Sequence, residues 1–158
     1  MANEWKNFRA SFWRHIRVTY LDTGERARME GQDLNTEEAN DAGRNIWVEP
    51  MILEDQFSDS ARSGARNESL LCQIDHYAKV VPKGDTTPMH LTELIDKTLD
   101  TFGPDKVLTL LDIATDSENP TTIGYLQVMN FRIQNLSDTQ EDEHELKYTA
   151  TFELRLNQ

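Results

Sequence analysis

The chain has a single cysteine, Cys72, among its 158 residues. One thiol excludes an intrachain disulfide and fits a reducing compartment. Basic residues are also scarce: 16 Lys and Arg stand against 28 Asp and Glu, for a formal charge of −12. That balance argues against a nucleic-acid binder, which needs cations set against phosphates. No apolar run approaches the roughly 20 residues of a membrane span. The opening Met-Ala-Asn-Glu-Trp-Lys-Asn-Phe has no basic segment followed by an apolar stretch, so no signal peptide is expected and folding in the cytoplasm is. Leu, Ile, Val and Phe make up 36 of the 158 residues. That is just above the level of roughly 20 % below which acidic chains tend to stay disordered. We expect one domain over residues 1–158, with a thin core and long polar loops.

Periodicity marks two helices. Over about Asn3 to Tyr20, the residues Trp5, Phe8, Phe12, Ile16 and Tyr20 fall on one helical stripe, which Trp13 widens. Arg9 lies within that stripe, which suggests a cation stacked or ion-paired at its edge. The second helix, about Pro88 to Phe102, carries Leu91, Leu94, Ile95, Thr98, Leu99 and Phe102 on one side. Pro88 suits its first position, and Gly103-Pro104 ends it. Between the helices, Thr23 to Asn45 is rich in charge and glycine and reads as a long loop with a short helical turn at Thr36–Ala42.

Five strands are expected. The first, about Ile46–Leu53, contains Pro50, which cannot donate to a ladder and so favours an edge or a bulge. A polar connection over Glu54–Glu68 leads to the second, about Ser69–Val80, where Cys72, Ile74, His76 and Ala78 share a face. Lys106–Ile113 and about Thr122–Leu136 follow. In the fourth strand, Ile123, Tyr125, Met129, Phe131 and Ile133 alternate with Asn130, Arg132 and Gln134. The last, Glu145–Asn157, alternates Leu146, Tyr148, Ala150, Phe152, Leu154 and Leu156 with polar residues throughout. The fold class is therefore α+β: a mostly antiparallel sheet with a helix packed on one face, an N-terminal helix and a long C-terminal β-hairpin. Strands of this length reach roughly 40–45 Å, so the hairpin is expected to project as an arm or to run along a partner.

The sequence offers few chemical motifs. Glu145-Leu146-Lys147 on a strand, with Asp112 on an earlier one, is the arrangement by which some nucleases hold Mg²⁺ and activate water. Alternating charges on an exposed face produce the same triplet by accident. The acidic run Glu141-Asp142-Glu143-His144-Glu145 lacks the spacing of a calcium loop and reads as a solvated hairpin tip. His15, His76, His90 and His144 show no ligand spacing; His76, on an apolar strand face, reads as a hydrogen-bonded core residue. Cys72 reads as a small buried side chain. There is no nucleophile elbow, phosphate loop or dinucleotide fingerprint, and no cofactor or metal is expected.

The order of elements resembles the tail terminator proteins of long-tailed bacteriophages. The parts that carry the resemblance are the helix Trp5–Tyr20, the strand Ile46-Trp47-Val48-Glu49-Pro50, the polar segment Glu54–Glu68, and the strand Leu70-Leu71-Cys72-Gln73-Ile74. The helix Leu91–Phe102 and the hairpin Tyr125–Leu136 with Lys147–Leu156 complete it. The long segment Thr23–Asn45 departs from the family's compact pattern. The resemblance implies a non-enzymatic virion protein of the tail or neck, assembled in the host cytoplasm. It would form a homo-oligomeric ring, six-membered in the family. The ring would cap the tail tube protein, halt its polymerisation and meet the head-side connector or stopper protein, while DNA passes through without specific binding.

Contact elements expected in that role are the 54–68 arm, with Phe57, Arg62 and Arg66, then Arg9, and the tip residues Glu141, Asp142 and Glu143. Three alternatives remain open: another phage neck or tail completion protein; a Mg-dependent nuclease using Asp112, Glu145 and Lys147; or a monomeric module that binds a peptide as an added strand near Pro50.

Overall fold

The computed structural model describes residues 4–29, 46–59, 66–80, 87–137 and 144–157. Helix α1 spans Glu4–Thr19, helix α2 Thr87–Phe102, and the strands are β1 Ile46–Asp59, β2 Arg66–Val80, β3 Val107–Leu111, β4 Thr122–Asn135 and β5 His144–Asn157. They form one antiparallel sheet in the order β1-β2-β5-β4-β3. The α+β class expected from the sequence is what the chain adopts.

The apolar stripes meet as periodicity dictates. Phe8, Phe12 and Ile16 of α1, Tyr20 just after it, and Leu91, Leu94 and Phe102 of α2 are buried with Cys72, Ile74, Ala78, Phe152 and Leu154 of the sheet. At the centre, the Phe102 and Phe152 rings stack at 5.3 Å, with Phe12 tilted against both. α2 ends before Gly103, a position only glycine fits, since a Cβ there would collide with the Leu99 carbonyl, to which the Gly103 N–H is bonded at 3.0 Å.

Several expected boundaries are corrected. Residues 54–59 and 66–68 are not a loop but the outer ends of β1 and β2, continuing one hairpin ladder to Asp59↔Arg66. Glu54, Asp55, Gln56 and Ser58 are poor strand formers, yet antiparallel pairing to an existing neighbour supplies what propensity does not. The C-terminal hairpin is no projecting arm, because β5 lies in the middle of the sheet, paired to β2 from Ser69↔Arg155 to Val80↔His144. It is the β1–β2 hairpin that runs past the sheet, by the pairs Phe57↔Glu68, Ser58↔Asn67 and Asp59↔Arg66. Residues 60–65, and with them Arg62, lie outside the described residues.

The alternation expected along β4 is also corrected. Between Met129↔Glu153 and Arg132↔Thr151, β4 holds one residue more than β5, and Asn130 in that bulge has φ 55°. A bulge reverses the faces beyond it. Leu126 and Val128 therefore point into the core before it and Phe131 joins the core after it, 6.2 Å from the Phe152 ring, while Tyr125 stays exposed. A second bulge lies between Ile52 and Glu54 in β1.

The segment after α1 is tied down at its start rather than looping freely. Glu25 bonds Lys97 Nζ at 2.8 Å and His90 Nε2 at 3.2 Å on α2. Ala27 then forms a parallel bridge with Val48. The turn expected at Thr36–Ala42 lies outside the described residues.

Candidate functional site

Each sheet edge is closed in a particular way, and together these closures define what the molecule leaves open. On the β3 side, Asn7, Ser11 and His15 form a polar stripe at i, i+4, i+8 on α1. The Ala114 N–H donates to Asn7 Oδ1 at 2.9 Å and the Leu111 N–H to Ser11 Oγ at 2.9 Å. His15 Nε2 donates to the Thr109 carbonyl at 2.9 Å. Thr109 and Leu111 turn these groups away from β4, and Ala114 lies in the turn that follows β3, so α1 serves as the missing neighbouring strand. Burial lowers the pKa of His15 despite that bond, which holds the ring neutral.

On the β1 side, the Arg28 N–H donates to the Val48 carbonyl at 2.8 Å and the Val48 N–H to the Arg26 carbonyl at 2.9 Å. Val48 therefore turns its backbone away from β2, and so does Pro50 two residues on. Proline at that position loses no ladder bond, which explains a proline inside a long edge strand. The same proline withholds a donor from any incoming strand, and Val48 is already paired. The edge near Pro50 is thus a poor place for peptide addition.

The helix-free face of the sheet carries a closed polar and aromatic cluster along the register rows Trp47↔Tyr77↔Lys147 and Glu49↔Asp75↔Thr149. Asp75 is buried; it accepts from Thr149 Oγ1 at 2.7 Å, Gln73 Nε2 at 3.1 Å and Tyr77 Oη at 3.4 Å. Lys147 Nζ lies 4.0 Å from Asp75 Oδ2, the oxygen that also takes Tyr77 Oη, and 5.3 Å over the Tyr77 ring. Trp47 stacks on Tyr77 at 5.2 Å and donates from Nε1 to Glu49, which also takes Arg28. Burial raises the pKa of Tyr77, reinforced by the nearby Asp75 and Glu49 charges and opposed by Lys147. Here every carboxylate is answered by donors of its own chain. Around the cluster the face is apolar and exposed: Leu53 and Leu71 beside the β1 bulge, Ile123 and Tyr125 on β4, and Leu136 just past it, each between 37 % and 53 % exposed.

A second polar chain runs through the core. His76 Nδ1 lies 2.9 Å from the Tyr148 carbonyl and must donate to it, which makes Nε2 of the neutral ring an acceptor. Thr98 Oγ1, 2.6 Å from Nε2, therefore donates to it, and Tyr20 Oη, 2.5 Å from Thr98 Oγ1, donates in turn. Burial pushes the His76 pKa down to about 4, against opposing contributions from the Tyr148 carbonyl and Asp75, and raises that of Tyr20.

The residues singled out from sequence are not gathered into one site. Phe57 and Arg66 stand in β1 and β2, at the pairs Phe57↔Glu68 and Asp59↔Arg66. Arg9 is half-buried on α1 and is engaged rather than free. Glu141, Asp142 and Glu143 lie outside the described residues. The nuclease set is dispersed. Asp112 sits past the end of β3, beside the start of β4, accepting from Asn7 Nδ2 at 3.1 Å and the Thr115 N–H at 3.3 Å. Hydrogen bonding by Thr115, and then by Asn7, lowers its pKa. Glu145 is the second residue of β5, at the far end of that ribbon. The length of β4 puts the two roughly 40 Å apart. Among the described residues no cluster of three or more His, Cys, Asp or Glu could hold a metal. His76 and Cys72 are buried core residues, as their strand face predicts.

Sequence reasoning missed the Asn7–Ser11–His15 stripe. Its polar spacing is visible, but its partners are backbone groups, which leave no mark in a sequence. Compared with models of known protein families and with curated protein sequences, the chain has no match. Among the described residues no helix is long and apolar enough to cross a membrane.

Proposed function

We propose that the chain is a structural assembly subunit rather than an enzyme: one copy of a ring of the kind formed by phage tail terminators. Such a ring caps the tail tube, stops its polymerisation and joins it to the head-side connector or stopper protein. In this reading the protein resides in the virion, at the tail or neck, after assembly in the host cytoplasm. Another neck or tail completion protein is the nearest alternative.

One observation carries the reading. A sheet of strands up to 15 residues long keeps both helices on one face, and its other face exposes Leu53, Leu71, Ile123 and Tyr125. A second copy would cover such side chains, and a closed ring would remove the open edges that long strands leave. The charge of −12 also suits a lumen through which DNA slides, since like charge opposes phosphate contact. The nuclease alternative is disfavoured by the separation of Asp112 from Glu145.

The test is light scattering across a range of concentrations, with negative-stain microscopy and co-sedimentation with purified tail tubes. The expected result is a ring that binds tube ends. A chain that stays monomeric at every concentration and leaves tubes unbound overturns the proposal.

A further inference from the structure

We propose that copies join head to tail by completing one another's sheet: the open edge of β4, Met129–Asn135, pairs with the outer half of β1, Ile52–Asp59, of a neighbouring copy. The proposal rests on the ring reading and specifies its interface.

The edges not already closed by this chain identify the two halves. β3 covers β4 only as far as Val128, whose N–H bonds the Lys106 carbonyl at 2.9 Å. Beyond that, β4 continues with β5 on one side and, among the described residues, no strand on the other. The Leu136 N–H bonds the Lys147 carbonyl at 2.8 Å, so Gln134 and Arg132 also turn toward β5. By alternation, the N–H and C=O of Ile133 and Asn135 turn outward, and no partner for them exists among the described residues.

On the opposite side of the sheet, Val48 turns outward and is bonded, Pro50 has no N–H to offer, and Ile52 turns outward with no partner among the described residues. Beyond the bulge, the pairs Asp55↔Leu70, Phe57↔Glu68 and Asp59↔Arg66 continue the outward-facing set.

The two edges are alike in length and opposite in charge. Ile52–Asp59 contains Glu54, Asp55 and Asp59 and no base, whereas Met129–Asn135 contains Arg132 and no acid. Complementary charge of this kind sets register and excludes like-with-like pairing, in which Arg132 would face a second Arg132. The halves are different surfaces on opposite sides of one sheet, so their union is heterologous and propagates around a ring.

Two variants test this, with light scattering for mass and circular dichroism for folding. Ile133→Pro removes an outward N–H that the β4–β5 ladder does not use, and should give a folded monomer. Arg132→Glu should raise the concentration for half-assembly roughly tenfold, as loss of one favourable charge contact would. Glu54 pairs with Leu71 on the helix-free face, as Arg132 does with Thr151. It turns its backbone to β2 as Arg132 turns to β5, so it is the acid that can stand opposite Arg132. Adding Glu54→Lys to the same chain should restore assembly. The Ile133 amide should exchange freely in dilute monomer and become protected in the ring. Rings indifferent to Ile133→Pro and to the charge reversal overturn this interface while leaving the ring reading intact. Ile133 protection in the monomer means the chain covers its own edge, and overturns it too. A wild-type chain that never assembles removes the ring reading and this interface together.

Discussion

His76 and Thr98 stand 22 residues apart in sequence, and Nε2 of one lies 2.6 Å from Oγ1 of the other. This bond joins the middle of β2 to the buried side of α2. Through Tyr20 and the Tyr148 carbonyl it extends to α1 and β5. Each hydroxyl has one proton, so the direction of every bond in the chain follows from His76 being neutral.

Stability should therefore fall in mild acid. The unfolded ring takes up a proton near pH 6.5, but the native one only near 4. The native state thus keeps its full stability above about pH 6.5 and loses it as pH falls toward 4. The loss is about 3 kcal/mol from this residue. His15, also lowered by burial, acts with the same sign. Urea unfolding at pH 7 and pH 4.5 should show the drop, and in His76→Leu the drop should shrink to what His15 and the carboxylates leave.

Ser11→Ala should open the β3 edge. The variant leaves the Leu111 N–H without its acceptor, at a cost of about 1–2 kcal/mol. Hydrogen exchange should show Leu111 losing protection while the β2 and β5 amides keep theirs.

Asn130 carries the bulge at φ 55°, a conformation that asparagine and glycine tolerate and β-branched residues do not. Asn130→Gly should be neutral within about 0.5 kcal/mol, whereas Asn130→Val should cost about 1–2 kcal/mol. Thermal melts of the two variants side by side make the comparison.

Phe152 is touched by Phe12, Phe102 and Phe131, from both helices and β4. Phe152→Ala should cost about 3–5 kcal/mol, enough to leave a small domain largely unfolded, as near-ultraviolet dichroism would show.

Much of this fold is legible in the sequence because buried stripes leave a period. Trp5 to Tyr20, Leu91 to Phe102 and Leu146 to Leu156 each repeat an apolar residue at the spacing of their element, and each forms the element expected. Features without a period were misread. One inserted residue at Asn130 reversed the faces of β4, and an alternating pattern read straight through it placed Phe131 with Tyr125. The polar ends of β1 and β2 looked like loop because pairing, not side-chain character, holds them. The candidate surface was the least legible part. It is defined by which backbone groups stay unbonded, and that depends on strand order and on where β3 stops.

Strand order also has a temporal consequence. β1–β2 and β3–β4 are local hairpins, but β5, the latest of the five to be synthesised, is the one that fits between them. Until it leaves the ribosome, the two halves have no common partner, and the nascent chain exposes the inner sides of both. Closing contacts that distant in sequence is slow. Self-association through these edges would therefore wait until β5 has emerged and paired with both halves.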